Sequence, residues 1–339
     1  MRRGTLSVVL VMVLVFSLFG STYAASPKKV AYVINGSLGD HAFYDSGYRG
    51  LMQIKKDFGA KVRVLECKFD PSLYYPSLLT AARWADVIFV ISYGFEKELK
   101  QIADRFPSKI FVNVDTNVMD PKHLLSSIVY RQEEGAFLAG VTAAITTTLT
   151  KLPGINPQKI IGAVGGDDDI VIRAFMYGYK RGAHYVDPQT QVKIVYIGNW
   201  DDPAKGKAAA LQLYSEGADV VFQVAALAGI GVLKAAKQVG KYAIGVDSNE
   251  NGIAPGHVIT SDLKEVGKSM YKVYKMIVDG TYKRGKVYSF GVKEGMVGLA
   301  IDKYTRQILP EDVIDRIVKI QNDIATGKLV VPPYKPEKK

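Results

Sequence analysis

Short apolar runs alternate with amphipathic stretches along most of the chain, and this order constrains the fold more than any other feature of the sequence. Up to residue 115 the pattern predicts strands at 29–34, 61–66, 87–92 and 110–115, separated by helices at 44–58, 75–84 and 96–106. Strands and helices in strict succession predict right-handed crossovers and a parallel sheet. The strands are nearly all apolar, which is typical of strands covered on both faces.

The same pattern begins again after a predicted helix at 133–148 and a breaker segment at 152–157, and it runs to the C-terminal part of the chain. The later strands are predicted at 159–164, 191–197, 220–224 and 242–246, after which the chain runs through 258–261, and the later helices are predicted at 170–182, 203–216, 229–239, 265–278 and 310–326. Two tandem series of this kind predict a doubled α/β unit. In such sheets ligands bind in the crevice at the carboxyl ends of the strands.

The N-terminus has the layout of a signal peptide. Arg2 and Arg3 precede an apolar run at 6–19 and a stretch of small residues that ends in Ala24 and Ala25. This predicts a signal peptide at 1–24, cleaved after Ala24. An uncleaved membrane anchor is the alternative, because the run and its flanks approach the roughly 20 residues that a spanning helix needs. We therefore predict export to the periplasm or the outer face of the cytoplasmic membrane.

The only cysteine, Cys67, is far from the predicted cleavage site, so no lipobox cysteine is present. The formal net charge is +11; Arg2 and Arg3 account for two of these charges and residues 1–24 contain no acid, which leaves +9 on residues 25–339. The lysines are scattered singly among acids rather than gathered in a basic arm. This favours a solvated surface and no nucleic-acid partner.

Few residue patterns point to a metal, a cofactor or catalysis. Asp167, Asp168 and Asp169 are consecutive and precede a predicted helix, so capping of that helix is favoured over calcium or magnesium binding. The four histidines have no metal spacing, and no Ser-His-Asp grouping is evident. We predict no metal, no cofactor and no catalytic residue. A nucleoside hydrolase would need a dense carboxylate cluster, which the sequence does not show. A sensory effector domain of the sugar-repressor type would need a helix-turn-helix before the first strand, where this sequence has the signal segment.

Aromatic side chains, carboxylates and a lysine collect at the predicted strand ends. This mixture suits a flat polar heterocycle that bears hydroxyl groups, because rings stack on its faces and carboxylates accept from its N–H and O–H groups. The candidate ligand-binding residues are Asp40, Phe43, Tyr44, Asp115, Trp200, Gly229, Asp247 and Lys264.

Several of these residues lie in motifs of a known family. The segments GDHAFYDSGYRG at 39–50, NWDDPAKGKAAA at 199–210 and AIGVDSNENGIAPGHVITSDLK at 243–264 carry the resemblance, which covers about 29–333. The chain resembles the basic membrane protein family of solute-binding proteins, which includes purine nucleoside receptors of ABC importers. The resemblance implies a fold like type I periplasmic binding proteins, with two parallel-sheet α/β lobes joined by a hinge, and an ABC permease as partner.

The resemblance also implies boundaries and a monomeric state. One lobe is expected to contain 27–130 and 252–282, and the other to contain 131–251 and 283–308. The remaining residues, 309–339, are expected to form a C-terminal helix and tail. The two lobes would close by a hinge motion around the ligand.

The family's ligand contacts map onto the candidates residue by residue. Asp40 matches the base-reading carboxylate, Phe43 and Trp200 the two rings that stack on the base, and Asp115 a second acid. Asp247 and Lys264 match the residues that hold ribose hydroxyls, and Gly229 is close to the loop that approaches the sugar. Each has a structural alternative: core packing for the aromatics, helix or turn capping for the acids, and a solvated helix start for the lysine.

One departure from the family pattern bears on ligand choice. Many relatives have a small polar residue and an asparagine around the phenylalanine of the first loop, where this chain has Ala42 and Tyr44. Tyr44 could supply a phenolic O–H in place of the amide, or the pocket could suit another flat ligand. The resemblance implies an extracytoplasmic receptor for a purine nucleoside; riboflavin, another flat heterocycle or a sugar are the alternative ligands.

Overall fold

A computed structural model describes residues 29–91 and 93–336, and the predicted signal peptide lies outside these residues. The strands are β1 (Lys29–Ile34), β2 (Lys61–Glu66), β3 (Val87–Ile91), β4 (Ile110–Asp115), β5 (Leu125–Tyr130), β6 (Ile160–Gly165), β7 (Gln191–Tyr196), β8 (Ala218–Val224), β9 (Tyr242–Asp247), β10 (Val258–Lys264), β11 (Val287–Phe290) and β12 (Val297–Leu299). The helices are α1 (Phe43–Phe58), α2 (Tyr74–Trp84), α3 (Glu96–Arg105), α4 (Gln132–Thr146), α5 (Ile170–Val186), α6 (Pro203–Ser215), α7 (Ala226–Val239), α8 (Val266–Val278), α9 (Lys303–Ile308) and α10 (Glu311–Ala325).

The strands form two six-stranded sheets with equivalent strand orders, β11-β5-β4-β3-β1-β2 and β12-β10-β9-β8-β6-β7. Every neighbouring pair is parallel except β10 and β12, which are antiparallel. The inner strands β3 and β8 are buried along their whole length, in agreement with their apolar sequences. The predicted fold class, two parallel-sheet α/β lobes, is therefore present.

The strand pairing differs from the predicted lobe boundaries at two strands. The prediction placed 252–282 with the first lobe, but β10 pairs with β9 in the second sheet. It placed 283–308 with the second lobe, but β11 pairs with β5 in the first sheet. The chain crosses between the sheets after β5, after β10 and between β11 and β12, and apolar runs in a sequence do not report such crossings.

Helix α4 is buried around its whole circumference except at Glu134, because it packs against α5 as well as against the second sheet. Glycines allow the close approach: a Cβ on Gly140 would lie 2.0 Å from the Tyr179 carbonyl oxygen, and one on Gly182 would lie 1.9 Å from that of Phe137. The buried hydroxyls of Thr142 and Thr146 donate to carbonyl oxygens one turn earlier. No helix in 29–91 or 93–336 has the length and apolar character needed to span a membrane.

Candidate functional site

The carboxyl ends of strands from both sheets meet at a cavity of about 520 Å³, a volume that includes its solvent-open part. The cavity is lined by Phe43, Tyr44, Asp115, Trp200, Asp247 and Lys264, so the structure brings together six of the eight predicted residues. Phe43 and Tyr44 come from the start of α1, Asp115 from the end of β4, and Asp247 from the end of β9.

Asp115 and Asp247 occupy equivalent places in the two sheets, because β4 and β9 hold the same position in the strand order. Both have left-handed backbone conformations, with φ of 87° and 61°. Aspartate adopts this region more readily than most residues, but it is still strained, and such strain is common at binding sites. The two turns therefore bring a carboxyl group from each lobe to the same cavity.

Lys264 is buried at the end of β10 and forms an ion pair with Asp115, which lies in the other sheet. Its ammonium nitrogen also lies 5.3 Å from the ring centre of Phe43, and 5.1 Å from those of Tyr130 and Phe175. Aromatic faces attract a cation at this distance. The ion pair therefore joins the two lobes at the floor of the cavity, and Lys264 is not the solvated lysine that the structural alternative described.

The carboxyl group of Asp247 is buried, and burial raises its pKa to about 7. Lys264 opposes this shift, whereas the charges of Asp115 and Asp40 add to it. Near neutral pH the group is therefore divided between an ionised acceptor and a protonated donor. Both forms make hydrogen bonds to a hydroxyl group.

Gly229 lies in α7 and does not line the cavity. A Cβ at this position would lie 1.8 Å from Oε1 of Gln223, which accepts a hydrogen bond from the Ala225 N–H at 3.1 Å. The Gln223 amide donates to the buried carboxyl group of Glu250, whose pKa burial raises to about 8. Because Gly229 has no side chain, the Gln223 side chain and its buried hydrogen bonds fit beside α7. Its contact with a ligand stays a prediction.

Asp40 is buried and lies just before the start of α1. Its Oδ1 accepts from the backbone N–H groups of Ala42 at 3.2 Å and Asp45 at 3.1 Å, and its Oδ2 accepts from that of Tyr44 at 2.9 Å. Asp40 is therefore not the N-cap residue of α1, a position that Ala42 holds, but its carboxylate satisfies backbone N–H groups of the first turn as a cap would. Asp40 borders a second cavity of about 480 Å³ that Tyr44 and Trp200 also line. Its base-reading role stays a prediction, because a carboxylate oxygen has room to accept a further hydrogen bond.

The Tyr44 hydroxyl donates to Oδ1 of Asn35 at 2.8 Å, so its proton is already used within the first lobe.

The cavity also contains residues that the prediction did not select: Asn35, Phe69, Tyr93, Asp169 and Phe175. Tyr93 hydrogen-bonds with Trp200, and burial raises its pKa to about 12. Asn35, Tyr93 and Asp169 follow predicted strands, so that position was a usable signal. Phe69 and Phe175 gave none, because they resemble ordinary core aromatics.

The family model described as "ABC transporter substrate-binding protein PnrA-like" matches residues 27–335. The chain belongs to this family. Basic membrane protein A of Borreliella burgdorferi is 31% identical to this substrate-binding protein over 324 residues, which cover 93% of this chain and 91% of the relative. Basic membrane protein A of Borreliella afzelii is 30% identical over 310 residues, which cover 90% and 91% of the two chains. The predicted resemblance is confirmed.

Solved structures show the same fold. A solute-binding protein of an ABC transporter system from Aeropyrum pernix K1 has a TM-score of 0.82 at 23% identity, covering 92% of this chain and 95% of its own. The Caulobacter myo-inositol binding protein has a TM-score of 0.60 at 16% identity, covering 86% and 97%. These likenesses confirm the predicted fold class. As a substrate-binding protein of the ABC transporter type, the protein has a small-molecule ligand and a permease as its partners.

Proposed function

We propose that this substrate-binding protein is an extracytoplasmic receptor that binds a purine nucleoside between its lobes, without chemistry, and delivers it to an ABC permease. The observation that carries the proposal is the interlobe cavity, which combines aromatic rings with carboxyl groups from both sheets. A purine presents two faces for stacking and N–H groups at its edge, and ribose presents hydroxyls. The proposal includes export as a monomer after cleavage following Ala24.

The proposed roles follow the positions of the side chains. Phe43 and Trp200 stack on the base, in contacts worth roughly 1 to 3 kcal/mol each by comparison with stacking on nucleic-acid bases. Asp247 and Lys264 hold the ribose hydroxyls, because the lysine donates and the carboxyl group both donates and accepts near neutral pH. Asp115 holds Lys264 in place, and Asp40 and Gly229 keep the roles implied by the resemblance.

The charge of the cavity favours a nucleoside over a nucleotide. Its lining contains the carboxyl groups of Asp115, Asp169 and Asp247 and one ammonium group, that of Lys264, which is already paired. A phosphate would lose its hydration and meet mainly like charges, and like charges close together repel strongly where water is scarce.

Contacts between the lobes support a closed arrangement. Besides the Lys264–Asp115 ion pair, Nη2 of Arg49 in α1 donates to the Ser248 hydroxyl at 2.6 Å, and that hydroxyl donates to the Ala42 carbonyl oxygen at 3.0 Å. Ser248 follows β9 of the second sheet, whereas Arg49 and Ala42 belong to the first lobe. A ligand stabilises this closed form only by the amount by which it binds that form better than the open one.

Calorimetric titration of residues 25–339 tests the proposal. The titrants are adenosine, guanosine and inosine, their 5′-monophosphates, riboflavin and myo-inositol, and the nucleosides are analysed for free base afterwards. We expect at least one nucleoside to bind about tenfold or more tightly than its monophosphate, a difference of roughly 1.4 kcal/mol, and to be recovered unchanged. Binding of riboflavin or the sugar alone would overturn the ligand, and release of free base would indicate an enzyme.

A further inference from the structure

Asp169 lines the cavity from the second lobe, where it is the N-cap residue of α5. One carboxylate oxygen, Oδ1, accepts from the backbone N–H groups of Val171 at 2.7 Å and Ile172 at 3.0 Å. The other, Oδ2, is buried and has no hydrogen-bond partner among the described residues. A buried polar atom without a partner is costly, and an atom left in this state beside a cavity is explained if a ligand supplies the missing hydrogen bond.

A carboxylate at the corresponding helix start of the first lobe is used differently. Ala42 holds the N-cap position of α1, the helix after β1, but Asp40 accepts backbone N–H groups of its first turn; Asp169 is itself the N-cap residue of α5, the helix after β6, and β1 and β6 hold the same place in their sheets. Both oxygens of Asp40 accept backbone N–H groups, whereas Asp169 uses only one. Asp169 therefore places beside the cavity a carboxylate group with one oxygen that its cap does not use.

The surroundings of Asp169 indicate which group of the ligand it would meet. The Trp200 ring packs against Gly166, in the segment that leads from β6 to Asp169, so Trp200 and Asp169 line the cavity from neighbouring parts of the second lobe. Asp247 ends β9, next to the end of β10 that carries Lys264. In the proposed function Trp200 stacks on the base and Asp247 holds the ribose, so Asp169 faces the base.

We propose that Asp169 is a specificity-determining residue, whose second carboxylate oxygen accepts a hydrogen bond from an N–H group of the base and so selects amino-bearing purine nucleosides. The inference rests on the proposed function. An ionised carboxylate only accepts hydrogen bonds, so it attracts an amino or ring N–H group and repels a carbonyl oxygen or an unprotonated ring nitrogen at the same place. Burial raises the pKa of Asp169, with smaller contributions from Asp115 and Asp167, and the ligand's N–H group would offset that burial.

The test compares Asp169→Asn with the wild type. Asparagine is as good an N-cap residue as aspartate, so its side-chain oxygen keeps the cap while an NH2 donor replaces the free acceptor. Asp202→Asn is the matched control, because Oδ1 of Asp202 caps α6 in the same way, at 2.8 Å from the Ala204 N–H, and Asp202 does not line the cavity. The titrants are adenosine, guanosine and purine riboside, which is adenosine without its amino group.

The wild type and Asp202→Asn are expected to bind adenosine or guanosine about tenfold more tightly than purine riboside, and Asp169→Asn to reduce that preference to about threefold or less. An unchanged preference in a folded Asp169→Asn variant, or a wild type without the preference, would overturn the role of Asp169 and leave the nucleoside receptor intact. A wild type that binds none of the nucleosides would overturn the proposed function itself.

Discussion

Lys264→Met is expected to lower the free energy of unfolding by about 3 kcal/mol or more at pH 8 and to abolish nucleoside binding. Lys264 is the buried partner of Asp115, and removal of one member of a buried ion pair commonly costs roughly 3 to 5 kcal/mol because a charge is left without compensation. Binding is lost as well, since the ammonium group is proposed to donate to the ribose. Urea unfolding and calorimetry measure the two effects.

The loss of unfolding free energy caused by Lys264→Met should be smaller at pH 5 than at pH 8. Burial raises the folded-state pKa of Asp247 from 3.8 to about 7 although Lys264 lowers it, so removal of the lysine raises this pKa further. A carboxyl group whose pKa is raised on folding stabilises the fold at acidic pH, and this contribution is lost as the pH rises through the folded-state pKa. Above about pH 7 the free energy of unfolding of Lys264→Met should therefore fall further below that of the wild type.

Two further variants separate this effect from general damage. Lys272→Met in α8 removes an exposed lysine that lies over Phe290, and it should change stability by about 0.5 kcal/mol or less. Addition of Asp115→Asn to Lys264→Met should recover part of the lost stability, because neither charge then remains buried alone. An additive loss in the double variant, or a single variant as stable as the wild type, would contradict the assigned ion pair.

Trp200→Ala is expected to weaken nucleoside binding by tenfold or more, since stacking on a base is worth roughly 1 to 3 kcal/mol. Trp200 is partly exposed and lies against Gly166, so removal of its ring should cost more affinity than stability. Trp200→Phe keeps an aromatic face and should lose less. Calorimetric titration with the tightest-binding nucleoside gives the three dissociation constants.

The second tryptophan provides the control. Trp84 ends α2, where the Arg63 guanidinium lies 4.4 Å from its ring centre, and it does not line the cavity. Trp84→Ala should leave the dissociation constant unchanged, and Trp84→Phe leaves Trp200 as the only tryptophan, so its fluorescence should change on ligand binding. If Trp200→Ala and the wild type bind the nucleoside with equal affinity, Trp200 does not stack on the base.

The sequence predicted the parallel strands well because each is a short apolar run between clear breakers. The observed β1, β2 and β4 match the predicted limits, and the other predicted strands differ by a few residues. The strands that it missed are β5, in which serines interrupt the apolar run, and β11 and β12, which have four and three residues. The latter two pair with different sheets, and this pairing depends on tertiary contacts far apart in the sequence.

The site was predictable to the extent that strand ends converge in this fold. That rule and the family motifs selected Asp115, Asp247 and Lys264, but neither indicated that Lys264 would pair with Asp115 across the lobes. Nor did the sequence indicate that Asp40 would use both carboxylate oxygens at its helix start while Asp169 used one. Such differences depend on backbone geometry of a fraction of an ångström to a few ångströms, which residue type and spacing do not specify.

A crystal structure of residues 25–339 with the tightest-binding nucleoside tests the central claim most directly. We expect the base between Phe43 and Trp200, with the ribose hydroxyls within hydrogen-bond distance of Asp247 and Lys264. A nucleoside bound outside the interlobe cavity, or a different compound retained in the cavity while the nucleoside is absent, would contradict it.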